Sequence, residues 1–279
     1  MMEITNDEIN KFVEAVKEQS SYDFSDYSEK SFRRRIEKLL NDNNCDVEKL
    51  ISKLSKDSAF LNKIVKDITV NTTEMFRDPK MWHQLRYQLL PSFQNKEKIR
   101  IWHAGCSTGE ELYSMLILLN EMGLFERTEV VGTDLNEDVL KVAKNGQYRY
   151  KFNMVYIENF DQVMKENPNN GEKYDLDYEK YFIIDKNRDL LKMNQFLLDK
   201  PTFQTHDLVS GKHELGEPFD LIICRNVLIY FNNNLQNKVF ELFFKSLVPG
   251  GHLVIGVHES ILGPLSNKFS KMAQVYQKK

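Results

Sequence analysis

The sequence predicts an α/β protein: a mostly parallel sheet covered by helices on both faces, preceded by a small all-helical domain and interrupted by a small β insertion. Three observations predict it. In the first 70 residues, apolar positions recur at helical spacing. From residue 98 onward, short β-branched runs alternate with longer helical patterns, the order of βαβ units. Residues 147 to 200 break the alternation, are rich in Tyr, Lys and Asp, and read as an insertion on the sheet. The expected division is therefore a helical domain (1–70), a linker and helix (71–97), and a sheet domain (98–279) carrying the insertion at about 147–200.

Within the helical domain, Ile9, Phe12, Val13 and Val16 form one buried stripe, Val47, Leu50, Ile51 and Leu54 a second, and Phe60, Leu61, Ile64, Val65 and Ile68 a third. Between the first two lies YSEKSFRRRIEKLL, whose apolar face is Phe32, Ile36, Leu39 and Leu40. Lys30, Arg34 and Lys38 stack on its opposite face, flanked by Arg33 and Arg35. A helix is expected near 78–90 and a strand at 98–102, followed by a helix at 111–122 and a strand at 128–134. Asn136 is placed to cap the next helix, and Gly146 to stop it. YFIID and DLLKM, joined by Lys-Asn-Arg, read as a hairpin. Strands at 202–208 and 220–226, a helix through 240–247, a Pro-Gly-Gly turn and a strand at 252–256 complete the sheet.

The chain has 279 residues, a net charge of −3 and 41% hydrophobic residues, enough for a sizeable core. That balance does not suggest nucleic acid as a partner. Cys45, Cys106 and Cys224 include no CxxC pair, so neither a disulfide framework nor a metal site is expected. The opening MMEITNDEIN lacks the apolar core of a signal peptide, and no apolar run approaches the roughly 18 residues of a membrane helix. A cytoplasmic protein with no membrane insertion is expected, and the sequon Asn71-Thr72-Thr73 then reads as accidental.

Four segments carry chemistry. In IWHAGCSTGEELYS a strand ends, a glycine turn follows and a helix begins, which lets backbone approach a ligand. Gly105 and Gly109 do not make the G-x-G-x-x-G of a pyrophosphate cradle. S-adenosyl-L-methionine, which lacks a pyrophosphate, suits such a looser turn. Thr108 and Glu111 have capping-box spacing, so Glu111 is either a cap or a ligand for an ammonium or ribose. Asp134 ends the next strand, where an acidic residue can accept both ribose hydroxyls. Asp207, followed by Leu208, falls at the adenine edge. In FDLIICRNVLIYF, a strand apolar on both faces ends in Arg225-Asn226, with Tyr230 beyond, where a methyl acceptor would lie. LVPGGHLVIG supports the fold and says little about substrate.

VNTTEMFRDP, HAGCSTGEELYS, GTDLN and FDLIICRNVLIYF, in that order, resemble the CheR family of chemotaxis receptor methyltransferases. YDFSDYSEKSFRRRIEKL resembles that family's helical domain, so the likeness spans nearly the whole chain. Two residues depart from the general pattern of such enzymes: His103 replaces an acidic residue, and Ser107 a second glycine.

The resemblance implies a Rossmann-like methyltransferase sheet and transfer of a methyl group from S-adenosyl-L-methionine to chemoreceptor glutamates, leaving S-adenosylhomocysteine. It implies that Asn71, Thr73 and Arg77 touch cofactor or substrate, Arg77 pairing with the carboxylate of either one. With Gly105, Glu111, Asp134, Asp207, Leu208, Arg225 and Asn226 they make the implied cofactor set. Arg77 and Tyr230 are expected to orient the acceptor carboxylate, with Asn226 near the transferring methyl. Lys30, Arg33, Arg34, Arg35 and Lys38 are expected to dock against the cytoplasmic, Glu-rich helical region of a receptor. The insertion falls where some members bind a peptide tether at the receptor C-terminus, and recruitment to membrane receptor arrays would follow. The competing readings are a methyltransferase of another acceptor and a non-catalytic module that responds to the cofactor. A nicotinamide oxidoreductase is disfavoured by the glycine spacing.

Overall fold

Helical periodicity in the first 70 residues becomes four helices in a computed structural model that describes residues 4–151, 153–212 and 215–279. They are α1 (Asn6–Gln19), α2 (Glu29–Asp42), α3 (Val47–Leu54) and α4 (Ser58–Ile68). Their starts are set by side chains that accept from orphan amides. Thr5 and Glu8 form a reciprocal capping box on α1, Asp46 caps α3 and Asp57 caps α4. The predicted stripes of Phe12, Val16, Phe32, Ile36, Leu50 and Ile64 close into a core of their own.

The second unit is a seven-stranded sheet. Its strands are β1 (Ile99–Ala104), β2 (Thr128–Asp134), β6 (Thr202–Thr205), β7 (Phe219–Cys224), β8 (Leu247–Ile255), β9 (Phe269–Met272) and β10 (Val275–Lys278). Their order is β6-β2-β1-β7-β8-β10-β9. The first five run parallel, and only the C-terminal hairpin β9–β10 is antiparallel. α6 (Glu110–Glu121) and α7 (Glu137–Asn145) carry the chain away from β1 in one direction, and α10 (Asn233–Ser246) carries it from β7 in the other. The strand order thus reverses between β1 and β7. In open α/β sheets the crevice at such a reversal, beyond the strand C-terminal ends, is where ligands bind.

The insertion is a three-stranded antiparallel sheet of β3 (Gln147–Arg149), β5 (Leu190–Met193) and β4 (Phe182–Asp185), with α8 (Val155–Phe160) and α9 (Gln195–Leu198) beside it. β4 is an edge strand, and its Ile183 is 57% exposed.

Several boundaries differ from expectation. The helix expected at 78–90 is α5 (Pro79–Gln84), then a π-helical turn at Leu85–Leu89 and a 3-10 turn at Leu90–Phe93. Pro91 has no amide to donate to a carbonyl one turn back, so the regular hydrogen-bond ladder cannot run through it. The strand expected to reach Leu208 stops at Thr205, because Asp207 instead caps a 3-10 turn at Leu208–Ser210. The helix expected through 240–247 starts earlier, where Asn232 accepts from the Leu235 amide. The β9–β10 hairpin was not expected, since its stretch KFSKMAQVYQKK is too polar to show strand alternation.

Candidate functional site

The loops that leave β1 and β7 meet at the strand-order reversal. Gly105 and Cys106 both donate to the Thr133 carbonyl at 2.8 Å, folding the turn back over β2. Gly105 has φ +73°, and a Cβ there would lie 2.6 Å from Val227 Cγ2. Only glycine fits that bend against that neighbour. Ser107 takes φ +51°, so it adopts the left-handed backbone that a second glycine would supply.

Of the two readings of Glu111, the cap is not formed: Thr108 and Glu111 make no capping box. Gly109, with φ +93°, occupies the N-cap of α6, and no side chain caps it. The Thr108 hydroxyl donates instead to Glu110 Oε2 at 2.6 Å. Glu110 is buried, and its other oxygen accepts from Tyr156 of α8 at 2.9 Å. Burial pushes the Glu110 carboxyl up to about 7, against the lowering effect of these hydroxyls.

Asp134 stands at the end of β2, with one oxygen accepting from the Ser107 amide at 2.9 Å and the other from the Asn136 amide at 3.0 Å. Each carboxylate oxygen has two lone-pair sites, so the group keeps capacity for two further donors. Burial raises its pKa, as it does that of Asp207. Asn71, Gly105, Asp134, Asp207, Leu208, Asn226 and Tyr230 line one cavity. One wall comes from the helical domain, through Tyr27, Phe32 and Arg35.

A smaller cavity adjoins the first and shares Val70, Gly105, Asn226 and Val227 with it. Thr73, Arg77, Glu111 and Arg225 line it. Arg225, one of the expected cofactor set, has a side chain only 1% exposed, with its guanidinium divided between two carboxylates. Nη1 pairs with Glu111 Oε2 at 2.6 Å, and Nη2 pairs with Asp78. His103 Nδ1 of β1 lies 3.5 Å from the other Glu111 oxygen, near it but without a formed hydrogen bond. Burial works to raise the Glu111 carboxyl, but Arg225 and His103 outweigh it and hold it low. Held low in this way, Glu111 borders the cavity as a carboxylate, a favourable neighbour for a ligand cation.

Arg77 is the counterpart: its side chain has no ion-pair partner among the described residues. Its segment is strained on both sides, with Phe76 at φ +51° and Asp78 at φ +59°. The Phe76 amide donates to Ser114 Oγ, Trp82 donates to the Arg77 carbonyl, and Asn159 of α8 donates to the Met75 carbonyl. These bonds fix the left-handed turns that set Arg77 over the cleft.

The basic helix divides. Lys30, Arg34 and Lys38 are exposed on one face of α2. Arg33 is engaged elsewhere, by the Ile4 carbonyl, Asn6 and Glu29, and is not free to dock. Arg35 turns to the larger cavity instead. The helical domain grips the site loop directly. Tyr27 pairs with Phe231 as a β-bridge, and the Ser28 amide donates to the Tyr230 carbonyl at 2.8 Å. Asp26 accepts from Asn232 and Lys238.

Residues missed from sequence are Glu110, Tyr27 and Glu259. Glu259 is buried and accepts three backbone amides from the loops after β7 and β8. Only the side-chain type hinted at it: a carboxylate shortly after a buried strand.

The family model described as CheR methyltransferase, SAM binding domain, matches residues 71–277, and the model described as CheR methyltransferase, all-alpha domain, matches residues 7–69. A Pseudomonas putida protein named as a methyltransferase, Cher3, is 35% identical over 97% of this chain and 95% of its own length. A chemotaxis protein methyltransferase of Listeria monocytogenes is 31% identical over 91% of this chain and 90% of its own. One from Borreliella burgdorferi is 26% identical over 93% and 90%.

Proposed function

The chain belongs to the CheR methyltransferase family, and from that premise we propose that it esterifies glutamate side chains of chemoreceptors. It is an S-adenosyl-L-methionine-dependent methyltransferase. When bound, S-adenosyl-L-methionine supplies an electrophilic methyl group on a positively charged sulfur and departs as S-adenosylhomocysteine. The residues present fit that group. Gly105 brings bare backbone to both cavities, and Asp134 retains lone pairs for a ribose. The Glu111 carboxylate, held low beside Arg225, suits an ammonium.

The chain needs no general base for this acceptor. A glutamate has a reference pKa near 4.3 and is already ionised at neutral pH. What the chain must supply is alignment and exclusion of water. Tyr230 and Asn226 line the larger cavity on the β7 side, and Asn226 also borders the smaller one with Arg77. In this reading Tyr230 and Arg77 orient the acceptor, and Arg77 holds it loosely, since a tight clamp would blunt its nucleophilicity.

Two observations carry the choice of acceptor. A cation without an ion-pair partner among the described residues borders the cleft, and an exposed basic face of α2 lies on the domain that walls it. Both suit a carboxylate carried on an acidic surface such as a Glu-rich receptor helix. The edge strand β4, with Ile183 exposed, offers a place for strand addition by a receptor tether. No helix among the described residues is long and apolar enough to cross a membrane, so presence at receptor arrays would come through the partner.

The test is methyl transfer from methyl-labelled cofactor to receptor cytoplasmic fragments. Label released as methanol by mild base establishes a carboxyl ester. Base-stable label means a different acceptor chemistry, and no label despite confirmed cofactor binding removes the receptor assignment.

A further inference from the structure

Glu259 poses a physical problem that the site as described leaves unused. Its carboxylate is 6% exposed and has no ion pair among the described residues. Burying an unpaired carboxylate is costly, and here burial raises its pKa despite the amides around it. What it does receive is three backbone N–H groups from two loops. The Gly256 amide donates to Oε2 at 2.6 Å, the Asn226 amide to Oε2 at 3.1 Å and the Ile229 amide to Oε1 at 3.2 Å. Gly256 follows β8, while Asn226 and Ile229 follow β7, the neighbouring parallel strand. One side chain therefore ties together the two loops at the C-terminal edge of the sheet.

The tie holds an unfavourable backbone. Asn226 has φ +60°, a conformation that persists only where surroundings over-determine it. The fit is close on the other side too: a Cβ on Gly256 would meet Glu259 Oε2 at 2.8 Å and the Asn226 nitrogen at 3.0 Å. Asn226 borders both cavities, and Tyr230 follows Ile229 directly.

We propose that Glu259 is a positioning residue for methyl transfer, clamping the loops after β7 and β8 so that Asn226 and Tyr230 present one fixed wall to the acceptor. The proposal rests on the assignment of that wall to the acceptor glutamate. It acts on alignment, so its loss falls on turnover rather than on cofactor affinity, to which Asp134 and the Gly105 turn contribute from other strands.

The experiment compares the full chain with Glu259→Gln, which keeps the size but turns one of the two accepting oxygens into a donating NH2 that cannot receive a backbone N–H. Amide exchange at residues 226–230 should quicken by roughly tenfold or more, while the 105–109 turn keeps its protection. Turnover should fall on the order of 10²-fold, with cofactor Kd changed by less than about threefold. Adding Tyr230→Phe should do little further harm, since both changes act through one wall. Should Glu259→Gln fail to fold, Gly256→Ala perturbs the same clamp from the opposite side and is read in the same way. Unchanged exchange in 226–230, additive losses, or cofactor affinity falling in parallel with turnover would each overturn the proposal. If the wild type esterifies no receptor fragment, the acceptor assignment fails separately, and the exchange measurement still judges the clamp.

Discussion

Tyr230 and Glu110 show two ways in which a single side chain can matter. Tyr230 borders the cavity, so Tyr230→Phe should lower turnover at least tenfold while leaving cofactor affinity within about twofold, as measured by single-turnover kinetics and calorimetric titration. Equal losses in both would end its role in orienting the acceptor. Glu110 acts on stability. Its carboxyl is raised from an ordinary 4.5 to about 7, so the folded chain binds more protons than the unfolded chain between those values. Stability contributed by that proton is full below pH 4.5 and is lost as pH rises toward 7. Glu110→Gln should flatten this part of the stability curve and recover up to roughly 3 kcal/mol at pH 8, read by urea denaturation across the pH range. Gly105 and Asp134 were legible as residues because strand ends and turns are written locally. The Arg225 pairing was not, since Asp78 and Glu111 come from remote segments.

At the scale of elements, the exposed face of α2 is the surface most open to test. Lys30, Arg34 and Lys38 point away from a core built on Phe32, Ile36 and Leu39. Arg34→Glu should weaken methylation of receptor fragments roughly tenfold at low salt, less as salt rises, because the attraction is screened. Cofactor binding should not change, and an unaltered methylation rate would mean a merely solvated face. The α2 periodicity gave the apolar stripe correctly, but not the fate of Arg33 and Arg35. A helical pattern gives the direction of each side chain around its own axis. It does not say that the chain before α1 waits at Arg33, or that the sheet domain lies against Arg35. The insertion is similar: its hairpin was readable, whereas the bonds from α8 to Glu110 and to the Met75 carbonyl were not.

For the whole molecule, the cleft depends on two units meeting. Tyr27 packs against both the helical core and the core around β7 and α10, with its ring 5.1 Å from that of Phe231. Tyr27→Ala should weaken cofactor binding at least tenfold by opening that wall, while the sheet domain keeps its denaturation midpoint, since this ring is only partly buried. An unchanged Kd would show that the helical domain is dispensable for the cofactor. By itself, the sequence determined the class of fold, the succession of helices and strands, the glycine turn and the carboxylate at the end of β2, because each is fixed by periodicity, by backbone freedom or by position along a strand. Only the tertiary structure decided which charges cancel, which arginines are free, and that Glu259 joins two loops. Those outcomes depend on contacts between residues far apart in the chain, and no local pattern encodes a distance.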